Sequence, residues 1–313
     1  MKKLFVLMAA ALLLEVTCSE NKVNPVTPPD PEPEHTEPAN LKLASFNIRL
    51  DTSSDTDYKD WQARKENCMT VVKTHDFDVF GLQEVLANQQ GNFKEMLPEY
   101  GFYFVGRDTG TGGEAVGVGY KKETIELLEW DRFWLSDTPD KPSGSLNWGG
   151  MSRHRVAAWV KLRHKASGKI FFFLSTHLEV NNNGNSYAEV RKKSADLIIS
   201  RMKDENKDNL PLFVVGDMNP ESDEEAALQA FRAAFKDSFR VAEEKGVRQG
   251  PKATYQAFDP SRDLNKASSH PSDFVFYTDG ENIELTGFIA ITDKFDGYYP
   301  SDHLPVLANI TLK

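Results

Sequence analysis

Short β-prone apolar runs recur from residue 41 to the last residue, separated by amphipathic segments, and most end on a polar side chain able to do chemistry. That pattern constrains the fold more than any other feature. Residues 41–48 alternate, with Leu41, Leu43, Ser45 and Asn47 on one side and Lys42, Ala44, Phe46 and Ile48 on the other, as a strand does. Residues 61–75 read as a helix whose mixed face carries Trp61, Arg64, Lys65, Cys68, Val71 and Val72. Residues 77–82 read as a buried strand delivering Gln83 and Glu84, and residues 88–97 as a helix closed by Pro98. Between 101 and 133, and again between 156 and 177, strands follow one another, broken by Gly and by charged turns such as Lys165-Ala166-Ser167-Gly168-Lys169. A helix over 187–203, a strand over 210–215 and a helix over 223–235 follow, then strands near 274–278, 283–292 and 304–312. Strands exceed helices and occur in consecutive runs, which predicts packed sheets with helices outside, a mixed α/β sandwich rather than a barrel of regular βα units.

The N-terminal residues have a different character. Lys2 and Lys3 precede an apolar stretch over residues 4–14, of signal-peptide length and too short to span a bilayer as a permanent helix. The expectation is an exported protein with a signal peptide over residues 1–18. Cys18 stands where a bacterial lipoprotein cysteine would, after the irregular approach Glu15-Val16-Thr17. One reading is a cell-envelope lipoprotein held to a membrane by an N-terminal lipid; the other is a periplasmic or secreted protein cleaved nearby. Residues 19–40 read as a tether: Pro25, Pro28, Pro29, Pro31, Pro33 and Pro38 are interleaved with Asp30, Glu32, Glu34 and Glu37, with too few apolar residues to offset ordering. Residues 41–313 suffice for one large single-core domain. Cys68 is then the lone cysteine of that domain, which excludes an internal disulfide, and its helical setting makes it a buried apolar residue. A formal net charge of −10 disfavours a general nucleic-acid binder, whose basic face would release counterions, and favours a small phosphate ester as partner. No protein partner follows from the sequence.

Five positions along the chain bring chemistry to strand ends. They are Asn47, Glu84, His177, Asp217 with Asn219, and Asp302 with His303. Open α/β sheets collect ligand-facing side chains at such ends. Oxygen donors from Asn47, Glu84 and Asp302 suit a hard cation, Mg²⁺ or Mn²⁺, that keeps waters and takes further oxygens from phosphate. His303 can exchange a proton with an attacking water if a carboxylate holds its other nitrogen, and Asp273 is the candidate for that. His177 can donate to a phosphoryl oxygen. Singly, Glu84 is a capping or solvated residue, Asp217-Met218-Asn219-Pro220 a turn and His177 a sheet-edge histidine. One active site accounts for all of them together.

Ser45-Phe46-Asn47-Ile48-Arg49, Leu82-Gln83-Glu84-Val85, Ser175-Thr176-His177-Leu178, Gly216-Asp217-Met218-Asn219, Ser272-Asp273-Phe274-Val275-Phe276 and Ser301-Asp302-His303-Leu304-Pro305-Val306 resemble, in order, the motifs of the endonuclease/exonuclease/phosphatase family. The resemblance spans residues 41–313. It implies a deoxyribonuclease I-like four-layer α/β sandwich, two packed mixed β-sheets flanked by helices, and divalent-metal-dependent phosphoester hydrolysis by in-line water attack. Carried over, Asn47 and Glu84 hold the metal with Asp302 supporting that side; Asp217 and Asn219 position nucleophile and phosphate; His303, oriented by Asp273, and His177 handle protons and charge. Glu114 matches a carboxylate that partners the histidine corresponding to His177. Phe133-Trp134-Leu135-Ser136-Asp137-Thr138-Pro139 and Arg155-Val156-Ala157-Ala158-Trp159 resemble signatures of a bacterial exported subgroup, as does Arg191, and Arg155 and Arg191 would suit an anionic substrate. Two departures touch specificity. That subgroup usually carries Trp-Asp-Ala where this chain has Trp148-Gly149-Gly150, and Leu-Asp-His where it has Leu178-Glu179-Val180 before an Asn-rich insertion over 181–185. The function expected is hydrolysis of a small-molecule or lipid-linked phosphate ester, monoester or diester. The alternatives are an exported nuclease and a surface binding module on the same scaffold.

Overall fold

The structure is a computed structural model, and it describes residues 37–110 and 112–313. The expected signal peptide, Cys18 and most of the expected tether lie outside the described residues. In chain order the strands are β1 (Ala39–Asn47), β2 (Val79–Val85), β3 (Tyr100–Gly106), β4 (Ala115–Lys121), β5 (Ile125–Trp134), β6 (Val156–His164), β7 (Ile170–His177), β8 (Leu212–Asp217), β9 (Lys236–Asp237), β10 (Arg248–Gln249), β11 (Asp273–Tyr277), β12 (Ile283–Ala290) and β13 (Val306–Leu312). The α-helices are α1 (Trp61–His75), α2 (Ala87–Met96), α3 (Ala188–Glu205), α4 (Ala226–Ala234) and α5 (Ser238–Lys245). One sheet has seven strands in the order β10-β12-β13-β1-β2-β4-β3, the other six in the order β5-β6-β7-β8-β11-β9.

Burial explains the layering. Leu41, Leu43, Val79 and Ile310 of the first sheet meet Phe171, Phe173, Phe213 and Val275 of the second in one core, so the two sheets stack face to face. The outer face of the first sheet, with Phe46, Phe80 and Leu307, is covered by Trp61, Cys68, Val72 and Phe93 of α1 and α2. The outer face of the second, with Phe172, Leu174 and Val214, is covered by Ala195, Ile198, Leu228 and Phe231 of α3 and α4. Helix, sheet, sheet, helix is the mixed α/β sandwich that the strand and helix pattern predicts, in the four layers that the resemblance implies. Each large apolar side chain so buried contributes about 1.5–3 kcal/mol of transfer free energy.

Register aligns the strand ends. β1 and β2 run parallel with Asn47 opposite Gln83, and β13 returns antiparallel with Val306 opposite Ser45. β7 and β8 run parallel with His177 opposite Asp217, while β11 enters antiparallel with Asp273 opposite Asp217. Carboxyl ends of the parallel strands and amino ends of their antiparallel neighbours therefore emerge along one edge. A polar seam ties the sheets just beneath it: Ser45 donates to Gln83 Oε1 at 3.4 Å, and Gln83 Nε2 donates to Ser175 Oγ at 3.2 Å.

The observed strand β1 starts at Ala39, two positions before the expected domain boundary at residue 41. Residues 236–249, unassigned by pattern, hold β9, α5 and β10. The Asp237 side chain caps α5 by accepting from Phe239 N at 3.0 Å, and Gly246 ends it at φ 68°, a left-handed conformation in which glycine carries no Cβ penalty. Among the described residues no helix is long and apolar enough to cross a membrane.

Candidate active site

Asn47, at the end of β1, lies fully buried and reaches across to the other sheet. Its Nδ2 donates to Glu84 Oε1 at 3.1 Å and to Asp217 Oδ2 at 3.1 Å, while its Oδ1 accepts from Arg49 N at 3.0 Å. In this orientation Asn47 orders two carboxylates, and its oxygen, the expected metal donor, accepts one bond and keeps a second lone pair. Glu84 sits where the β2–β4 register breaks between Leu82 and Val85, at φ 64°. Such a bulge re-aims a side chain, and here it turns Glu84 to the edge cavity, with Oε2 accepting from Leu50 N at 3.1 Å.

Asp217 is the hub. Oδ1 accepts from Asn219 N at 3.0 Å, and Oδ2 lies 3.5 Å from His177 Nε2 and 3.6 Å from His303 Nε2. Burial pushes its carboxyl up to about 7, with the charges of Asp273 and Glu84 adding to the rise and His303 opposing it. Asn219 holds its turn at φ 48°, its amide donating to Leu178 O at 3.2 Å. His303 Nδ1 is 2.8 Å from Asp273 Oδ2, as the sequence predicts. Burial acts to lower His303, but the carboxylates of Asp273 and Asp217 outweigh it and hold the imidazole well above its usual value. His177 goes the other way: burial, then the charges of Arg155, His303, Arg107 and Arg153, hold it well below the ordinary value, so it is neutral.

Three supports were not legible as site residues. Thr254 Oγ1 donates to Asp273 Oδ2 at 2.6 Å and accepts from Ser272 N at 2.9 Å and Asp273 N at 3.0 Å, fixing the carboxylate that holds His303. Ser301 Oγ donates to Asn47 O at 2.7 Å, tying the Asp302-His303 turn to β1. Arg64, buried on α1, donates to the carbonyls of Lys59 (2.8 Å), Arg49 (2.7 Å), Leu50 (3.3 Å), Pro300 (3.3 Å) and Ile48. Its guanidinium pins the loops on either side of the Glu84 pole.

Two expectations are corrected. Arg191 is fully buried and does not line the cavity: its Nε and Nη2 pair with Glu225 at 2.7 and 2.8 Å, and Nη1 donates to Glu179 O and Asn181 Oδ1, both at 2.9 Å. It braces the segment after β7 from behind. Glu114 reaches the cavity wall, but its carboxylate pairs with Arg107 at 2.6 Å in place of His177. Arg155 does line the cavity, with Nε and Nη2 each 3.3 Å from Glu179 Oε1. Of the two departures, Val180 with Asn181 forms cavity wall and Glu179 is buried behind it, whereas Trp148-Gly149-Gly150 lies outside.

Glu84, Arg155, His177, Asp217, Asn219, Asp302 and His303 open into a cavity of about 570 Å³, walled also by Tyr255, Arg262, Asp263, Lys266 and His270. The cavity is dipolar. Glu84, Asp217 and Asp302 crowd one pole against Arg49, which lies 4.0 Å from Asp302. Arg153 and Arg155 stand at the other beside His177, with Arg107 behind them in a small adjoining pocket that Glu84 also lines. A divalent cation fits the acidic pole: burial raises the Asp302 carboxyl and the charge of Glu84 adds to the rise despite His303, a repulsion that a cation between them relieves. Glu84 and Asp302 are the residues that would hold it, since their oxygens are the hard donors at that pole. Asp217, Asp273 and His303 form a second compact set, with ligand atoms all within 4.8 Å of one another. There Asp273 Oδ2 is bonded to His303 and Thr254, while its Oδ1 is buried without a hydrogen-bond partner among the described residues.

A four-layer α/β sandwich with carboxylates and paired histidines gathered at one edge of its two sheets defines the phosphoesterase fold class. The sequence profile of the Endonuclease/Exonuclease/phosphatase family matches residues 44–303, and the chain belongs to that family. An endonuclease/exonuclease/phosphatase family protein from Bacteroides thetaiotaomicron is 30% identical with a TM-score of 0.78, covering 88% of this chain and 96% of its own. The family's protein from Bacteroides vulgatus is 32% identical with a TM-score of 0.77, covering 88% and 100%. A mannosyl-6-phosphatase of Bacteroides thetaiotaomicron is 30% identical with a TM-score of 0.75, covering 86% and 99%. Among curated proteins none matches the chain.

Proposed function

We propose that the chain is a divalent-cation-dependent phosphoesterase that hydrolyses a small-molecule or lipid-linked phosphate ester by direct attack of water. The observation that carries this reading is the placement of Asp217, within 3.5 and 3.6 Å of two imidazoles and bonded to the same Asn47 that orders Glu84. A carboxyl near 7 can take up and release a proton at neutral pH, which suits a group that orients and deprotonates water. His303, charged and held by Asp273, offers a proton or positive charge beside it. Neutral His177 offers an N–H to a phosphoryl oxygen, and Arg155 adds a charged donor. Mg²⁺ or Mn²⁺ at the Glu84–Asp302 pole would polarise the phosphoryl group and stabilise its developing charge.

The similar mannosyl-6-phosphatase makes sugar phosphates the first esters to try. The nuclease alternative has less support, because the net charge of −10 is unfavourable to a polyanion. The reading includes an exported enzyme held at the cell envelope through Cys18, for which an acyl chain on the N-terminal peptide is the check. The function is tested by phosphate release from a panel of monoesters, diesters and DNA with Mg²⁺ or Mn²⁺. Asp217→Ala and His303→Ala should each lose about 10²–10⁴-fold. Equal activity in wild type and both variants refutes the assignment.

A further inference from the structure

Behind His177 the cavity wall is built around one buried carboxylate. Glu179 is 1% exposed, and its Oε1 is shared by Arg155 Nε and Nη2 at 3.3 Å each and by Arg153 Nε at 3.7 Å. Its Oε2 is buried without a hydrogen-bond partner among the described residues. The backbone of Glu179 is itself fixed from behind by Arg191, which is locked to Glu225. A carboxylate this enclosed does not neutralise both guanidiniums; it aligns them, and both arginines remain cavity-lining. Arg107, opposed by Glu114, adds a third guanidinium against two carboxylates, so this side of the cavity carries a net positive charge.

We propose that Arg153 and Arg155, held side by side by Glu179, clamp the non-bridging oxygens of a terminal phosphate dianion and make the enzyme prefer phosphomonoesters to phosphodiesters. This rests on the phosphoesterase reading and specifies its substrate class. A monoester presents three unesterified oxygens and up to two negative charges, whereas a diester presents two such oxygens and one charge. One arginine, the His177 N–H and the opposite pole already serve two oxygens. A second guanidinium adds binding where a third oxygen is present, and in a diester that place is taken by a carbon substituent that cannot accept a hydrogen bond. Glu179 is thus a positioning residue, acting through the two arginines.

The experiment is steady-state hydrolysis of p-nitrophenyl phosphate and bis-p-nitrophenyl phosphate at saturating Mg²⁺ by wild type, Arg153→Ala, Arg153→Lys and Glu179→Gln. Arg153 is partly exposed, with 31% of its side chain accessible, so its replacement leaves the fold in place. Wild type should favour the monoester in kcat/KM. Arg153→Ala should lower the monoester-to-diester ratio by about 10–100-fold, mainly through monoester KM, as loss of a charge-assisted hydrogen bond implies. Arg153→Lys should recover part of the ratio, and Glu179→Gln should lower it in the same direction. A wild-type diester preference, or variants that weaken both esters equally, overturns the clamp and leaves the phosphoesterase reading standing. Failure of wild type to hydrolyse either ester or any sugar phosphate of the panel overturns both.

Discussion

Asp217 joins more of the site than any other single residue, and its chemistry gives a prediction independent of substrate. Its carboxyl is pushed up to about 7 in the fold from an ordinary value of 3.8. The folded state therefore binds the proton more tightly than the unfolded state. Stability from this group is complete below about pH 4 and is lost as pH rises to about 7. In EDTA, Asp217→Asn should melt above wild type at pH 8 and at nearly the same temperature as wild type at pH 4; a variant that melts lower at pH 8 contradicts the origin given for the shift. Residue by residue, the sequence shows Asn47, Glu84, His177 and Asp217 closing apolar runs, and Asp273 and His303 just ahead of such runs. It does not show Thr254, a lone hydroxyl in an irregular segment whose partner Asp273 is 19 residues on. Arg191, expected to meet an anionic substrate, differs for a related reason: the carboxylate it meets is Glu225, 34 residues later, which only the tertiary fold brings against it.

At the scale of elements, α1 does more than cover a sheet. Arg64 sits on its buried face at 1% exposure and takes the carbonyls of five residues from the two loops that frame the acidic pole. Removing it strands those carbonyls away from water, so Arg64→Ala should cost about 2–4 kcal/mol in denaturant unfolding and weaken cation affinity. A change below about 0.5 kcal/mol would show that the loops hold themselves. The periodicity places α1 at 61–75, where it is observed, because a long helix repeats its apolar face several times. The eight-residue α5 repeats too little for that, and only its end signals, Asp237 and Gly246, announce it. Arg64 falls in the helical pattern as one polar residue of a mixed face; what it binds is set by the approach of residues 48–50 and 300, which no local pattern carries.

For the whole molecule, function depends on two sheets meeting at close range so that Asn47 of one touches Asp217 of the other. Gly81 permits that approach: a Cβ there would run into Val215 and Ser175 of the facing sheet. Gly81→Val should destabilise by about 1–3 kcal/mol through overpacking and lower kcat by spreading the poles, read from unfolding midpoints and kinetics on the same preparation. The layer order is legible in the sequence because consecutive strands and alternating helices leave few arrangements; the dipolar cavity is not, since Arg107, Arg153 and Glu179 acquire meaning only from opposite sides of the fold. The central claim is that the Glu84–Asp302 pole takes a divalent cation on which phosphoester hydrolysis depends. Phosphate release by EDTA-treated protein, followed as Mg²⁺ or Mn²⁺ is added back to wild type and Glu84→Gln, tests it most directly. The account predicts no release without cation, saturable recovery in wild type, and recovery in Glu84→Gln that is weaker by about 10²-fold or more. Release that persists in EDTA and is unchanged by Glu84→Gln would contradict it.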